Sequence, residues 1–299
     1  MRKAAFIVLA VALVALLGAG GVFYYLFLAR SSGQYFESNG VRIFYTEQGR
    51  GEPVILIHGF AVQGDFNWRR PGITERLSRK FRVIVPDLRG HGRSGKPHEP
   101  EQYGREMVED VVRLMDHLGI EKAHVAGYSL GGFLTVKFAA MHADRLITAC
   151  PLGAGWERPE NNAFLSRAPE LARMLEEGRG IKPPSGDFGK DRDKPGFIHT
   201  WTIRLLTRFL NDGKALAAVL RSSPDLIVTE EEVRGIRVPM LSIVGSRDPL
   251  KAGVENLRDA IPGIEVVVID GATHMNAMMR EEFADTLERF LLQHQTDGA

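Results

Sequence analysis

In the stretch GYSLGG, residues 127–132, a single serine, Ser129, stands between glycines inside an otherwise apolar run. A serine hydroxyl is a poor nucleophile at neutral pH. It needs a base within hydrogen-bond reach, and an imidazole titrating near neutrality suits that task. A carboxylate must then hold the imidazole in one tautomer and stabilise its protonated form. A serine where a strand meets a helix could equally be an inert N-cap. The choice depends on whether a base, an acid and backbone donors for a developing oxyanion occur where the fold can gather them.

The elements that would position such groups follow from the hydrophobic pattern. After a short polar linker, RSSGQ, the segment VRIFYTEQG reads as a strand preceded by the turn pair Asn39 and Gly40. PVILIHG, FRVIVPD, KAHVAGYS, RLITACPLG, VPMLSIVGS and IEVVVID are continuous apolar runs, the signature of strands covered on both faces. Helical patterns lie between them. EMVEDVVRLMDHLG carries apolar residues at helical spacing and ends on Gly119, a C-terminal glycine cap. LGGFLTVKFAAMHA, GVENLRDAIPG and EEFADTLERFLLQH supply three more. The alternation predicts an α/β fold with a mostly parallel central sheet flanked by helices.

Residues 155–237 break this rhythm with the cluster IKPPSGDFGKDRDKPG and amphipathic pieces such as WTIRLLTRFLNDG, and show no convincing strand. They are expected to form a cap inserted before the last two strands. The expected organisation is an N-terminal segment over 1–33, a first core part over 34–154, the cap over 155–237 and a second core part over 238–299.

In open α/β sheets ligands gather outside the carboxyl ends of the strands. Here those ends carry HGF (residues 58–60), DLRGHGRS (87–94), GYSLGG, GSRDPL with Asp248, and DGATHMN with His274. With these five loops in this order, the chain resembles the α/β-hydrolase superfamily from about Val41 to near Gln293. The resemblance rests on the GxSxG motif at Gly127 to Gly131, on its strand, sharp turn and helix, and on the chain order Ser129, Asp248, His274.

The resemblance implies Ser129 as nucleophile, His274 as its base and Asp248 as the acid that orients the base, with Glu157 and Asp270 as rivals of Asp248. The backbone N–H groups of Phe60 and Leu130 would meet the oxyanion, so their positions matter more than their side chains. His58 is expected to make structural hydrogen bonds, and Asp87 and His91 to shape the loop beneath the site. A serine at this turn favours acyl-enzyme chemistry, because relatives that open epoxides or displace halide carry aspartate there. The expected activity is carboxylic ester hydrolysis on an apolar, lipase-like acyl substrate. A cofactor-free carbon–carbon bond hydrolase or a perhydrolase would use the same three residues. A non-catalytic binding module would normally have lost the serine or the histidine, and neither is lost. FIHTWTIRLLTRFL, ALAAVLRSS and HMNAMM would either line an apolar pocket or pack the cap.

Composition narrows the partners. The chain of 299 residues, 44% hydrophobic and 25% charged, has a formal net charge of +1. That balance argues against nucleic-acid binding. Its single cysteine, Cys150, excludes an intrachain disulfide and reads as buried packing. His124, His142, His199 and His294 show no metal-ligand spacing, and there is no phosphate-binding or dinucleotide-binding glycine motif, so no metal or cofactor is expected. The segment 4–29 holds no charged residue, with Arg2 and Lys3 before it and Arg30 after it. As a helix it would run about 39 Å, enough to span a bilayer, with Tyr24 and Tyr25 suited to the interface. It is expected to be a membrane anchor holding an exported domain, the alternative being a cleaved secretory signal and a secreted or periplasmic protein.

Overall fold

The computed structural model describes residues 31–158, 163–179 and 211–296. The chain divides into two compact units, 1–32 and 33–299. The apolar run 4–29 lies outside the described residues, and among those described no helix is long and apolar enough to cross a membrane.

The described residues of the second unit hold eight strands: β1 (Gln34–Ser38), β2 (Val41–Gln48), β3 (Pro53–Ile57), β4 (Arg82–Pro86), β5 (Ala123–Tyr128), β6 (Leu146–Leu152), β7 (Leu241–Gly245) and β8 (Glu265–Ile269). Six pair in the order β1-β2-β4-β3-β5-β6, and β7 pairs with β8. A parallel bridge between Ala149 and Met240 sets β7 beside β6, where the Gly153 N–H donates to the Ile243 carbonyl at 2.8 Å. The pairs β1–β2 and β2–β4 are antiparallel, and the other ladders are parallel.

Helices cover both faces of the sheet. Alternation along β3 sends Ile55 and Ile57 into one core and Val54 and Leu56 into the other. On the first side lie α2 (Arg105–His117) and α3 (Leu130–Met141), with α6 (Glu230–Gly235) and α7 (Lys251–Ala260) beside them. On the second lie α1 (Ile73–Leu77) and α8 (Glu281–Gln293). Met107, Val108, Val111, Leu114 and Met115 form the buried stripe of α2, and Gly119 beyond it takes φ 65°, as its cap requires.

Two departures from the sequence reading stand out. The linker RSSGQ ends inside β1, an edge strand of which only Phe36 and Ser38 are buried. Such a polar strand has no apolar run to announce it. Its partner β2 follows a turn in which Asn39 and Gly40 both have positive φ, at 48° and 77°, the geometry a two-residue hairpin demands. The five-residue α1 and a π-helical turn at Asp65–Arg69 are too short to show a period.

Within 155–237, the described residues contain α4 (Ala163–Glu176), α5 (Gly213–Arg221) and α6 and no strand. Ala168 and Ala172 of α4 pack on Ala217 and Leu220 of α5. The ALAAVLRSS segment therefore serves packing in large part, while FIHTWTIRLLTRFL and His199 lie outside the described residues.

Strand β3 is where the winding reverses: β4 lies on one side of it and β5 on the other. The crevice at the carboxyl ends of β3 and β5 is thus the topological switch point. The loop leaving β3 brings Gly59 and Phe60 to one side of it, and the turn leaving β5 brings Ser129 to the other.

Candidate active site

Ser129 joins β5 to α3 with φ 56° and ψ −114°, a conformation that L-residues avoid and that costs of order 1–3 kcal/mol. The turn is as tight as its glycines allow. A Cβ on Gly127 would stand 2.0 Å from the Gly131 carbonyl oxygen, and one on Gly131 would stand 2.2 Å from that of Ile57. The backbone of Ser129 is held on both sides: its N–H donates to Leu152 O at 2.9 Å, and its carbonyl accepts from Gly132 N–H at 2.8 Å.

The serine side chain makes no capping hydrogen bond to α3, so the inert-cap reading fails. Its Oγ lies 3.0 Å from His274 Nε2. His274 Nδ1 lies 2.8 Å from Asp248 Oδ2. A carboxylate only accepts, so Nδ1 carries the proton and Nε2 is free to accept from the serine hydroxyl. The other oxygen, Asp248 Oδ1, accepts from Leu250 N–H at 2.9 Å, which fixes the carboxylate plane. The Asp248 side chain is fully buried, whereas that of His274 is 23% exposed, leaving the imidazole reachable from solvent. The two rival acids stand elsewhere. Asp270 accepts from Ser246 Oγ at 3.2 Å, and Glu157 lines a small cavity of about 50 Å³ beside Leu130, Phe133 and Trp156.

Leu130 is the first residue of α3, so its N–H has no partner within the helix. Phe60 follows β3 across the crevice, just before Ala61, which has φ 58°. The peptide between His58 and Gly59, one step before that of Phe60, is fixed by Asn67, whose Oδ1 accepts from Gly59 N–H at 2.7 Å and whose Nδ2 donates to Met278 Sδ at 3.4 Å. Sequence reasoning did not find Asn67. One amide among the aromatic and basic residues of FNWRR carries no signal. The Phe60 side chain also matters more than its backbone role implied: it packs against the α4–α5 cluster and meets His91 edge-on with centroids 5.8 Å apart.

Beneath this loop His58 makes the expected structural bonds. Its Nε2 accepts from Leu88 N–H at 2.9 Å, so the proton sits on Nδ1, which donates to Gly59 O at 2.8 Å. Asp87 accepts from Gly64 N–H and Arg93 N–H, each at 2.9 Å. Burial pushes His58 down to about 4 and His91 down to about 3, so both are neutral at pH 7. Burial also pushes the Cys150 thiol up to about 12, which makes it inert. Among the described residues no group of three or more His, Cys, Asp or Glu side chains is placed to hold a metal ion.

The two buried histidines set a pH dependence. Below the ordinary imidazole value of 6.5, the unfolded chain takes up protons that the folded chain excludes until about pH 4 and about pH 3. Stability is therefore full above pH 6.5 and falls as the pH drops toward 4, by up to about 1.4 kcal/mol per pH unit for each histidine. Asp87, raised by the same burial, binds its proton more readily when folded and blunts the lower end of that fall. Urea midpoints should be flat between about pH 7 and 8 and descend below 6.5. A flat profile down to about pH 4.5 would contradict the buried neutral pair.

Residues 52–180 match a family model described as the alpha/beta hydrolase fold, over the span that contains the serine turn and the loop after β3. The chain belongs to the α/β-hydrolase superfamily. This hydrolase is 27% identical over 217 residues to the AB hydrolase superfamily protein YisY of Bacillus subtilis, covering 70% of this chain and 78% of that one. Over 106 residues it is 40% identical to a soluble epoxide hydrolase of a Corynebacterium species, 36% of each chain. The crystal structure of the enol-lactonase from Burkholderia xenovorans is similar with a TM-score of 0.69 and 27% identity, covering 87% of this chain and all (100%) of that one.

Proposed function

We propose that this hydrolase cleaves carboxylic esters through an acyl-enzyme on Ser129. The reading rests on one observation: His274 lies 3.0 Å from Ser129 Oγ through one ring nitrogen and 2.8 Å from Asp248 through the other. His274 Nε2 takes the hydroxyl proton as Oγ attacks the ester carbonyl carbon, and the carbonyl electron pair moves onto oxygen. Amides of Phe60 and Leu130 face that oxyanion, each contributing about 3–4 kcal/mol in the transition state. The oxyanion collapses, the ester C–O bond breaks, and the imidazolium returns its proton to the leaving alkoxide. Water then repeats the sequence on the acyl-enzyme, releasing the acid and restoring Ser129.

The likeness to an enol-lactonase supports this reading, since a lactone is a cyclic ester. The likeness to an epoxide hydrolase does not carry that chemistry over, because the residue on the strained turn is Ser129. Exposed Met275 and Met279 beside His274 favour an apolar acyl group. The charge-free run 4–29, with Arg2 and Lys3 before it, supports a membrane anchor with the catalytic unit exported, close to lipid-like esters.

A fluorophosphonate probe and a panel of acyl esters and lactones of increasing chain length test the proposal. The expected result is one phosphonyl group per chain, on Ser129, together with ester turnover. Folded protein that is neither labelled nor active on the panel would overturn it. If the anchor reading holds, the labelled chain stays with membranes after carbonate extraction.

A further inference from the structure

Tyr128, the residue before the nucleophile, has been given no part in the chemistry above. It ends β5, so its Cα is one residue from that of Ser129. Its hydroxyl donates to the backbone carbonyl of His274 at 2.5 Å, and its ring lies against the His274 imidazole with centroids 5.3 Å apart and planes 31° from parallel. Phe283 of α8 meets the same ring edge-on at 6.0 Å. A Cβ on Gly153, at the end of β6, would come within 2.8 Å of it, so the ring occupies a slot that leaves little freedom. Burial, reinforced by the Asp248 charge, raises the phenol above its ordinary range; the hydroxyl therefore keeps its proton and remains a donor at any working pH.

We propose that Tyr128 is a positioning residue for the base: its hydroxyl holds the main chain of His274 and its ring backs the imidazole, fixing Nε2 at bonding distance from Ser129. The inference rests on the serine-hydrolase reading above and assigns the motif's central aromatic a role in it. His274 sits in the loop after β8, at the far side of β6 and β7 from Ser129. Without a tie, the Ser129–His274 distance would depend on the sum of small shifts in three strands and a loop. Tyr128 bypasses them. The π face beside the ring also favours the imidazolium that forms as Ser129 is deprotonated, since a ring quadrupole attracts a cation at this range.

The test compares Tyr128→Phe, which removes the hydroxyl and keeps the ring, with Tyr128→Leu, which removes both. Rates are referred to the folded fraction measured by circular dichroism. For Tyr128→Phe we expect kcat on an ester and the rate of fluorophosphonate labelling at Ser129 to fall about tenfold, with KM within about twofold, as loss of one buried hydrogen bond at the base requires. For Tyr128→Leu we expect a larger fall in both rates. A purely structural tyrosine would lower the unfolding midpoint and leave kcat and labelling rate per folded molecule unchanged. That outcome in Tyr128→Phe would overturn the proposal while leaving the serine-hydrolase reading intact. A wild-type protein whose Ser129 resists the probe would remove both.

Discussion

Ser129→Ala should lower kcat by about 10⁴- to 10⁶-fold, and His274→Ala should do nearly as much, yet the double variant should be no slower than the worse single one. The two side chains act as one unit: the hydroxyl is a nucleophile only while Nε2, 3.0 Å away, takes its proton. Whatever turnover remains comes from binding and from the amides of Phe60 and Leu130, which neither substitution touches. Steady-state and single-turnover rates on the best ester of the panel give the comparison. Additive losses in the double variant would mean that the two residues do not cooperate. The strained backbone adds a second arm. Ser129→Ala keeps a Cβ at φ 56° and the strain with it, whereas Ser129→Gly releases it. The glycine variant should be equally inactive but more stable than the alanine variant by about 1 kcal/mol. Urea unfolding of the pair checks this.

Arg89→Met should have the largest effect on stability. Arg89 is 1% exposed, and its Nε and Nη2 donate to the two oxygens of Asp110, each at 2.6 Å. Its Nη1 donates to the Gln102 carbonyl at 2.5 Å, and Ser38 Oγ donates to Asp110 Oδ1 at 2.5 Å. One guanidinium thus joins β1, the loop after β4 and α2. Burial pushes the Asp110 carboxyl up, and Arg89 opposes that. Removing the cation leaves a carboxylate in the interior without its main partner, at a cost of about 3–5 kcal/mol. The double variant Arg89→Met with Asp110→Leu should recover a large part of that loss, because it is the orphaned charge that is expensive. Denaturant midpoints decide this: a loss below about 1 kcal/mol in the single variant would show that water reaches the pair.

Much of this site can be read from the chain because its parts lie at strand ends, and interior strands announce themselves. VILI (54–57), VIVP (83–86) and IVG (243–245) are buried and read as apolar runs, so the polar residues that follow them fall at one edge of the sheet. Six of the eight strands are visible in this way, and β2 by the segment VRIFYTEQG after its turn pair Asn39 and Gly40. β1 is not, because an edge strand with only Phe36 and Ser38 buried looks like a linker. Contacts made across the sheet are equally silent. Nothing in the order of residues tells that Asn67 reaches Gly59, that Tyr128 reaches the carbonyl of His274, or that Arg89 closes on Asp110. Each joins polar groups on different elements or loops, and only packing reveals the partner. The choice between nucleophile and helix cap at Ser129 is of the same kind: composition permits both, and the structure turns the hydroxyl toward His274 and away from the helix.

The bond from Tyr128 to the His274 carbonyl also bears on how the site tolerates heat. Strand ends move, and two reactive groups mounted on independent loops would add their fluctuations. Here the strand end that precedes Ser129 also grips the loop that carries His274. A displacement of β5 is common to both partners and cancels in the distance between them, so alignment is sensitive to the difference of two motions and insensitive to their mean.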